Sequence, residues 1–265
     1  MLVGMSVFGI ETWSRRADPL AVYFGLFARL APLRWRDREL QVRMPLSGAT
    51  TLVPIAGTTA LLCVGIGTTS FDGFQQGALW SGESGVGGRL TRVFADLGLG
   101  PEAAVQVGTT VGLLAVVGIV SAVVVLGLRR ASRVTGSDRS TSPGSYVHSL
   151  IPIALAYLVA HYFSLLLFQG QAIGFLVSDP LGRGDDLFGT AVWSIDYGVI
   201  SAAGIWYVQV AALVLGHVAG LALAHDRALE LWPDRRLAVR SQYWMLLVMI
   251  TLTCLGLWLL SAASR

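Results

Sequence analysis

Long apolar blocks alternate along the chain with short blocks that carry arginine, and the apolar blocks are of membrane length. Five of them lie at about 49–69 (helix A), 103–128 (helix B), 147–168 (helix C), 195–224 (helix D) and 243–262 (helix E). Each reaches or exceeds the ~17–25 residues with which an α-helix crosses a hydrocarbon core. The pattern predicts an all-α polytopic transmembrane helix bundle of five full spans, forming a single integral membrane domain over 1–265. Helix D is long enough to tilt or to project beyond the bilayer. Pro54 and Pro152 fall in the first turns of A and C, where a missing N–H costs little.

Two shorter apolar stretches precede helix A. Residues 1–10 cannot span alone and carry neither the basic n-region nor the small-residue cleavage pattern of a signal peptide. They read as a partial span, the tail of a membrane helix that begins upstream. Residues 21–33 (AVYFGLFARLAPL), closed by Pro32, read as an interfacial or re-entrant helix, with a helix packed against the bundle as the alternative.

Composition strengthens the membrane reading. The mean hydropathy is +0.65 and only 13% of the 265 residues are charged, against roughly a quarter in soluble domains. The net charge of +3 does not point to nucleic acid, because the basic residues sit in loops where membrane topology accounts for them. All 19 are arginine, a genomic compositional bias. Seven, four and four of them fall in 11–48, 129–146 and 225–242, whereas 70–102, 170–194 and the C-terminal end hold two, one and one. The bias alternates at every crossing, so those three arginine-rich loops are expected in the cytoplasm and the C-terminus outside an inner membrane. Cys63 and Cys254 lie inside apolar blocks and read as packing residues.

Polar side chains in hydrocarbon are costly and face other helices, water or a ligand. His161 in helix C, and Asp196, Gln209, His217 and His225 along helix D, are such positions, with His148 at the start of C. Depths reckoned at ~1.5 Å per residue pair His161 with Gln209 and His148 with His217 if C and D are neighbours. Tyr157, His161 and Ser164 share one face of helix C, and Gln169 and Gln171 continue it outward. A transition metal or haem between His148 and His217 is one possibility; histidines hydrogen-bonded to neighbouring helices are the other. Ala212, Gly216, Gly220 and Ala224 form a small-residue ridge for close helix approach, by another helix of the chain or by a partner subunit or second copy. Asp72, Asp179, Asp185, Asp186 and Asp196 at the outer mouth could form an acidic vestibule, but turn and helix-end roles suffice for them. Nucleophile-elbow, Walker A and zincin motifs are absent from the sequence.

Several stretches, among them IPIALAYLVAHYFSLLLFQGQ (151–171), IDYGVISAAGIWYVQV (195–210), GHVAGLALAHDRAL (216–229) and RSQYWMLLVM (240–249), resemble actinobacterial polytopic membrane proteins labelled fenitrothion hydrolase. The resemblance covers nearly the whole chain and matches the C-terminal portion of longer proteins with further helices upstream. It implies hydrolysis of an organophosphate triester, chemistry that calls for a metal-activated water or an activated nucleophile. His161, His217, His225 and Asp226 would then be candidate metal ligands, and His161, His217, Asp196 and Gln209 candidate catalytic groups. A small-solute or ion transporter, and a non-catalytic subunit of a larger complex carrying haem or copper, are the competing readings.

Overall fold

In the computed structural model, which describes residues 1–36, 38–133 and 142–263, the chain is an all-α bundle with one small hairpin. Short helices α1 (Leu2–Phe8), α2 (Ile10–Arg16) and α3 (Pro19–Ala28) lead into strands β1 (Leu33–Arg36) and β2 (Glu39–Val42), followed by the single turn α4 (Ser47–Thr50). The bundle consists of α5 (Thr58–Gln76), the amphipathic α6 (Val86–Asp96), α7 (Pro101–Ala131), α8 (Ile151–Gln169), α10 (Ala202–Leu231) and α11 (Arg235–Ala263). A 3-10 segment, Pro143–Leu150, feeds α8, and the short α9 (Ala172–Ser178) follows it.

Among the described residues four helices are long and apolar enough to cross a membrane: Pro101–Ala131, Gly144–Gln169, Ala202–Leu231 and Arg235–Ala262. Only 28% to 44% of their most apolar stretches is buried inside the bundle. The remainder, including Leu114, Ile119, Leu215 and Leu247, is exposed and needs lipid as its solvent. The fifth expected span stands as a helix with shifted bounds. Helix A begins nine residues later than expected, at Thr58 instead of 49, and Pro54 lies in the irregular run before it. Its 19 residues include Asp72, Gln75 and Gln76, and it falls short of the other four in apolarity. It packs against α7, α8 and α11 as a member of the same bundle. Its hydroxyls are satisfied internally: Thr69 Oγ1 and Ser70 Oγ donate to the carbonyls of Gly65 and Ile66 at 2.9 and 2.7 Å, as a helix in a dry setting requires.

The long helices close into a ring in which α8 packs on α10, α10 on α11, α11 on α7, α7 on α5 and α5 back on α8. Their ends explain themselves chemically. Pro101 opens α7, with Glu102 in the first turn and Arg129 and Arg130 in the last, matching the helix dipole at both ends. Ser201 caps α10 by accepting from the Gly204 N–H at 3.1 Å. Helix D therefore starts at Ala202 rather than 195, which places Asp196 outside it. The expected loop 225–242 contracts to three residues, since α10 runs to Leu231 and α11 starts at Arg235.

The small-residue ridge is spent inside the chain. A Cβ at Gly216 would stand 2.3 Å from the Ala156 Cβ, and one at Gly220 would stand 2.7 Å from the Ser149 carbonyl oxygen. Ala224 is fully buried. The ridge seats α8, so a partner subunit or second copy would have to use another face. At the same end of the bundle, the Trp232 Nε1–H donates to the Tyr146 hydroxyl, which donates to Ser241 Oγ, which donates to the Ala238 carbonyl. This buried relay ties the 3-10 segment to the end of α10 and the start of α11.

The helix directions bring Arg129, Arg130, Arg133, Arg227, Arg235, Arg236 and Arg240 to one end, where α3 and the 3-10 segment also pack. The part of loop 129–146 at 134–141 lies outside the described residues. Of residues 21–33 only 21–28 are helical, within α3, which starts at Pro19 and is capped by Asp18. Its Leu26 and Phe27 are buried against the bundle while Leu20 and Phe24 are exposed, so the packed alternative describes one face of it. Residues 1–10 break at Gly9, whose φ of 82° interrupts the helix between α1 and α2.

Candidate functional site

The half of the bundle away from the arginine-rich end holds a cavity of about 170 Å³ at the meeting of four helices, lined by polar side chains and by Leu213, Leu259 and Leu260. Helix α5 presents Thr69, Gly73 and Gln76 to it, α8 presents Tyr157, Ala160, His161 and Ser164, α10 presents Gln209, and α11 presents Gly256. The i, i+4, i+7 stripe on helix C thus faces one space, as its spacing requires.

A carboxylate–imidazole contact at this site joins α5 to α8: His161 Nε2 lies 3.4 Å from Asp72 Oδ2, and both side chains are part-buried. Asp72 reaches it because α5 extends to Gln76, carrying the TSFDG stretch inward as helix instead of leaving it at a mouth. Gln75 Nε2 approaches the other carboxylate oxygen at 3.5 Å. With Nε2 directed at the carboxylate, Nδ1 is the imidazole nitrogen left to exchange a proton with a bound molecule.

Two neighbours brace the cavity. The Tyr157 hydroxyl donates to the Leu252 carbonyl at 2.6 Å, tying α8 to α11. Gln209 Nε2 donates to the Ala160 carbonyl at 2.7 Å, tying α10 to α8. The expected His161–Gln209 pairing is corrected accordingly: the two share a level and a cavity, but the amide goes to the backbone one residue before the histidine.

The expected His148–His217 pairing fails as well. His217 Nδ1 is bonded to the Leu213 carbonyl at 2.7 Å, and the Nε2 atoms of both histidines are buried without a hydrogen-bond partner. His148 lies against the backbone of Leu223, about 9 Å along α10 from His217 at 1.5 Å per residue. A haem does not fit between them, because the seam of α8 and α10 is closed by the contacts at Gly216 and Gly220. His225 is exposed and bonded to Gln242 of α11 at 2.7 Å, and Asp226 is exposed beside it. His161, His217, His225 and Asp226 do not converge, and among the described residues no three His, Cys, Asp or Glu side chains are placed to hold one metal ion. His161 and Asp72 offer two donors, short of the three protein ligands of a catalytic zinc site.

The outer carboxylates are loop formers. Asp179 accepts from the N–H groups of Gly184 and Arg183, each of which holds its carboxyl below the usual range. Asp186 is held low by the Ser178 hydroxyl first and by the Ala191 N–H second. Asp196 accepts from the Gly198 N–H at 2.7 Å, and its own backbone N–H and carbonyl are clipped by the Gln171 amide. The turn reading of these residues holds, and Asp196 does not reach the cavity.

Sequence reasoning missed the Asp72–His161 pair. The available signal was a lone carboxylate one turn from the end of a predicted span, with the single mid-span histidine of helix C to neutralise it. Fold and cavity together define a helix-bundle membrane protein with a polar site among its helices. Comparison with protein-family models, curated proteins and solved structures finds no match to the chain.

Proposed function

We propose that the chain is a membrane-embedded hydrolase whose Asp72–His161 pair acts as the general base on a small phosphotriester held in the four-helix cavity. The observation that carries the reading is the carboxylate–imidazole pair itself, whose histidine lines a cleft together with Ser164 and Gln76. The substrate class comes from the resemblance to proteins labelled fenitrothion hydrolase. In this scheme Asp72 orients the ring, and Nδ1 of His161 takes a proton from a water as its oxygen attacks phosphorus. The bond from phosphorus to the leaving oxygen breaks, and the proton passes on to that oxygen. The arginine-rich end faces the cytoplasm of a bacterial cell, so the cavity lies in the outer half of the inner membrane.

General-base catalysis contributes about 10²–10⁴-fold. His161→Ala in the full chain, reconstituted in nanodiscs, should lose a rate of that order in release of a nitrophenol from an aryl phosphorothioate triester. Asp72→Asn should lose less, since the base remains. Wild-type protein that releases no phenol, or a His161→Ala variant that keeps its rate, removes the proposal.

A transporter is the second reading, favoured by the two buried imidazoles that continue the polar line along α8 and α10 toward the other end. Tyr157 links the cavity to them, its ring edge-on to His217 with centroids 6.1 Å apart. Proteoliposomes that acidify only when His217 is intact would replace hydrolysis by proton movement.

A further inference from the structure

Around α3, at the arginine-rich end, runs a groove unrelated to the cavity. Its larger part, about 420 Å³, is lined by Arg15, Arg16 and Arg29 together with Val22, Leu26 and Ile55. A smaller extension of about 180 Å³ shares Arg16, Val22 and Ile55 and continues past the start of α3. The larger volume lies within the ~300–1,000 Å³ typical of small-molecule sites. Three cations over an apolar floor are complementary to a ligand that is anionic at one end and greasy at the other.

The positive charge is only partly spent within the chain. Arg15 pairs with Glu11 at 2.8 Å, but both side chains are about three-quarters exposed, where such pairs are weak. Arg29 reaches the Thr51 hydroxyl only at 3.5 Å. Among the described residues Arg16 has no carboxylate partner, and Asp18, at the shared end of the groove, is committed to capping α3.

The adjoining hairpin shows what medium the groove opens on. The register pairs Leu33 with Val42 and Trp35 with Leu40, so these four side chains share one face of the ribbon. All four are exposed, Trp35 at 73% and Val42 at 80%, and Met44 follows at 79%. On the opposite face the Arg34 Nε–H donates to Gln41 Oε1 at 3.0 Å. An apolar face with a tryptophan, backed by a polar face, suits the boundary of headgroups and acyl chains. Arg43 fixes the ribbon to the end of α3, donating to the carbonyls of Ala28, Arg29 and Ala31. Hairpin and groove are thereby held as one platform.

We infer that this platform is a binding site for an anionic phospholipid, with the headgroup phosphate among Arg15, Arg16 and Arg29 and an acyl chain along Val22, Leu26 and Ile55. Basic pockets beside membrane helices recognise headgroups in this way.

The test is native mass spectrometry of the full chain released from nanodiscs of mixed phosphatidylglycerol and phosphatidylcholine. Wild type should retain phosphatidylglycerol selectively. Each arginine near an anionic surface is worth a factor of about five. Arg15→Gln/Arg16→Gln/Arg29→Gln should therefore lose about a hundredfold in selectivity, while Arg235→Gln/Arg236→Gln, at the same end but outside the groove, should lose little. Val22→Trp leaves every charge in place and plugs the groove, and it should abolish retention as well. Thermal melts of each variant identify any that fail to fold. Equal retention of both lipids by wild type, or equal losses in the groove and control variants, overturns the inference. So does displacement of phosphatidylglycerol by inorganic phosphate, which would make the groove a free-phosphate site.

Discussion

Gly216 sits in the close seam between α8 and α10, and substitution there reads out both packing and the geometry of the cavity. A Cβ added at Gly216 would lie 2.3 Å from the Ala156 Cβ and 2.8 Å from the Pro152 carbonyl oxygen, against 3.4–4 Å for ordinary contact. The helices must therefore part by about an ångström. Overpacking of this kind costs roughly 1–3 kcal/mol, offset by about 1 kcal/mol from the better helix propensity of alanine. Gly216→Ala should thus destabilise by about 0–2 kcal/mol, and Gly216→Val by more, since valine brings two further methyl groups to the same spot. The steric origin is isolated by Ala156→Gly, which removes the nearer obstacle. In the double variant the Pro152 carbonyl remains, so recovery should be partial, with a favourable coupling of about 1 kcal/mol, within the range of contacting residues. The assay is unfolding of the chain in mixed micelles of dodecyl sulfate, followed by helical circular dichroism. Ala156 lies one turn before Ala160, whose carbonyl receives the Gln209 amide, so parting the helices should also loosen that bond and lower any cavity activity. A stability gain in Gly216→Ala, or an Ala156→Gly effect that is the same in both backgrounds, would refute the close-packed seam.

Two further outcomes follow from the polar contacts. Tyr146→Phe strands the buried Trp232 Nε1–H without its acceptor, at a cost of about 1–3 kcal/mol; Tyr146→Phe/Trp232→Phe should recover part of that loss in the same unfolding assay, and no recovery would show that the relay is not what binds the segments. In the 178–191 loop, the carboxyls of Asp179 and Asp186 are depressed below their ordinary value of 3.8. A depressed carboxyl stabilises above its unfolded value and stops doing so as pH falls through the lower folded value. Pepsin should therefore leave the loop intact near pH 4 and nick it at lower pH, and Asp186→Ala should move the onset upward; an unchanged onset would separate the loop's order from that carboxylate.

The sequence alone determined the class of the protein and the composition of its two ends. Apolar runs of membrane length must be helical, because hydrocarbon offers backbone groups no partner outside the helix. All five runs stand as helices: B and C lie close to their expected ranges, A and D are displaced toward the C-terminus by seven to nine residues, and E begins eight residues early. The arginines that flank α7, α10 and α11 collect at one end, as the alternating bias leads one to expect. The cavity stripe Tyr157, His161 and Ser164 was legible too, because a helix turns by a fixed angle per residue.

Tertiary structure decided the partnerships. Asp72 read as a mouth residue because α5 is less apolar than its neighbours and its true bounds depend on packing against α7, α8 and α11. His148 and His217 read as partners because depth fixes the level of a side chain along an axis, whereas its bond goes to whichever backbone carbonyl lies within reach. The small-residue ridge announced a close contact without naming the helix that makes it. Which of several compatible surfaces meet is settled by the simultaneous packing of the whole ring, and no single segment encodes that.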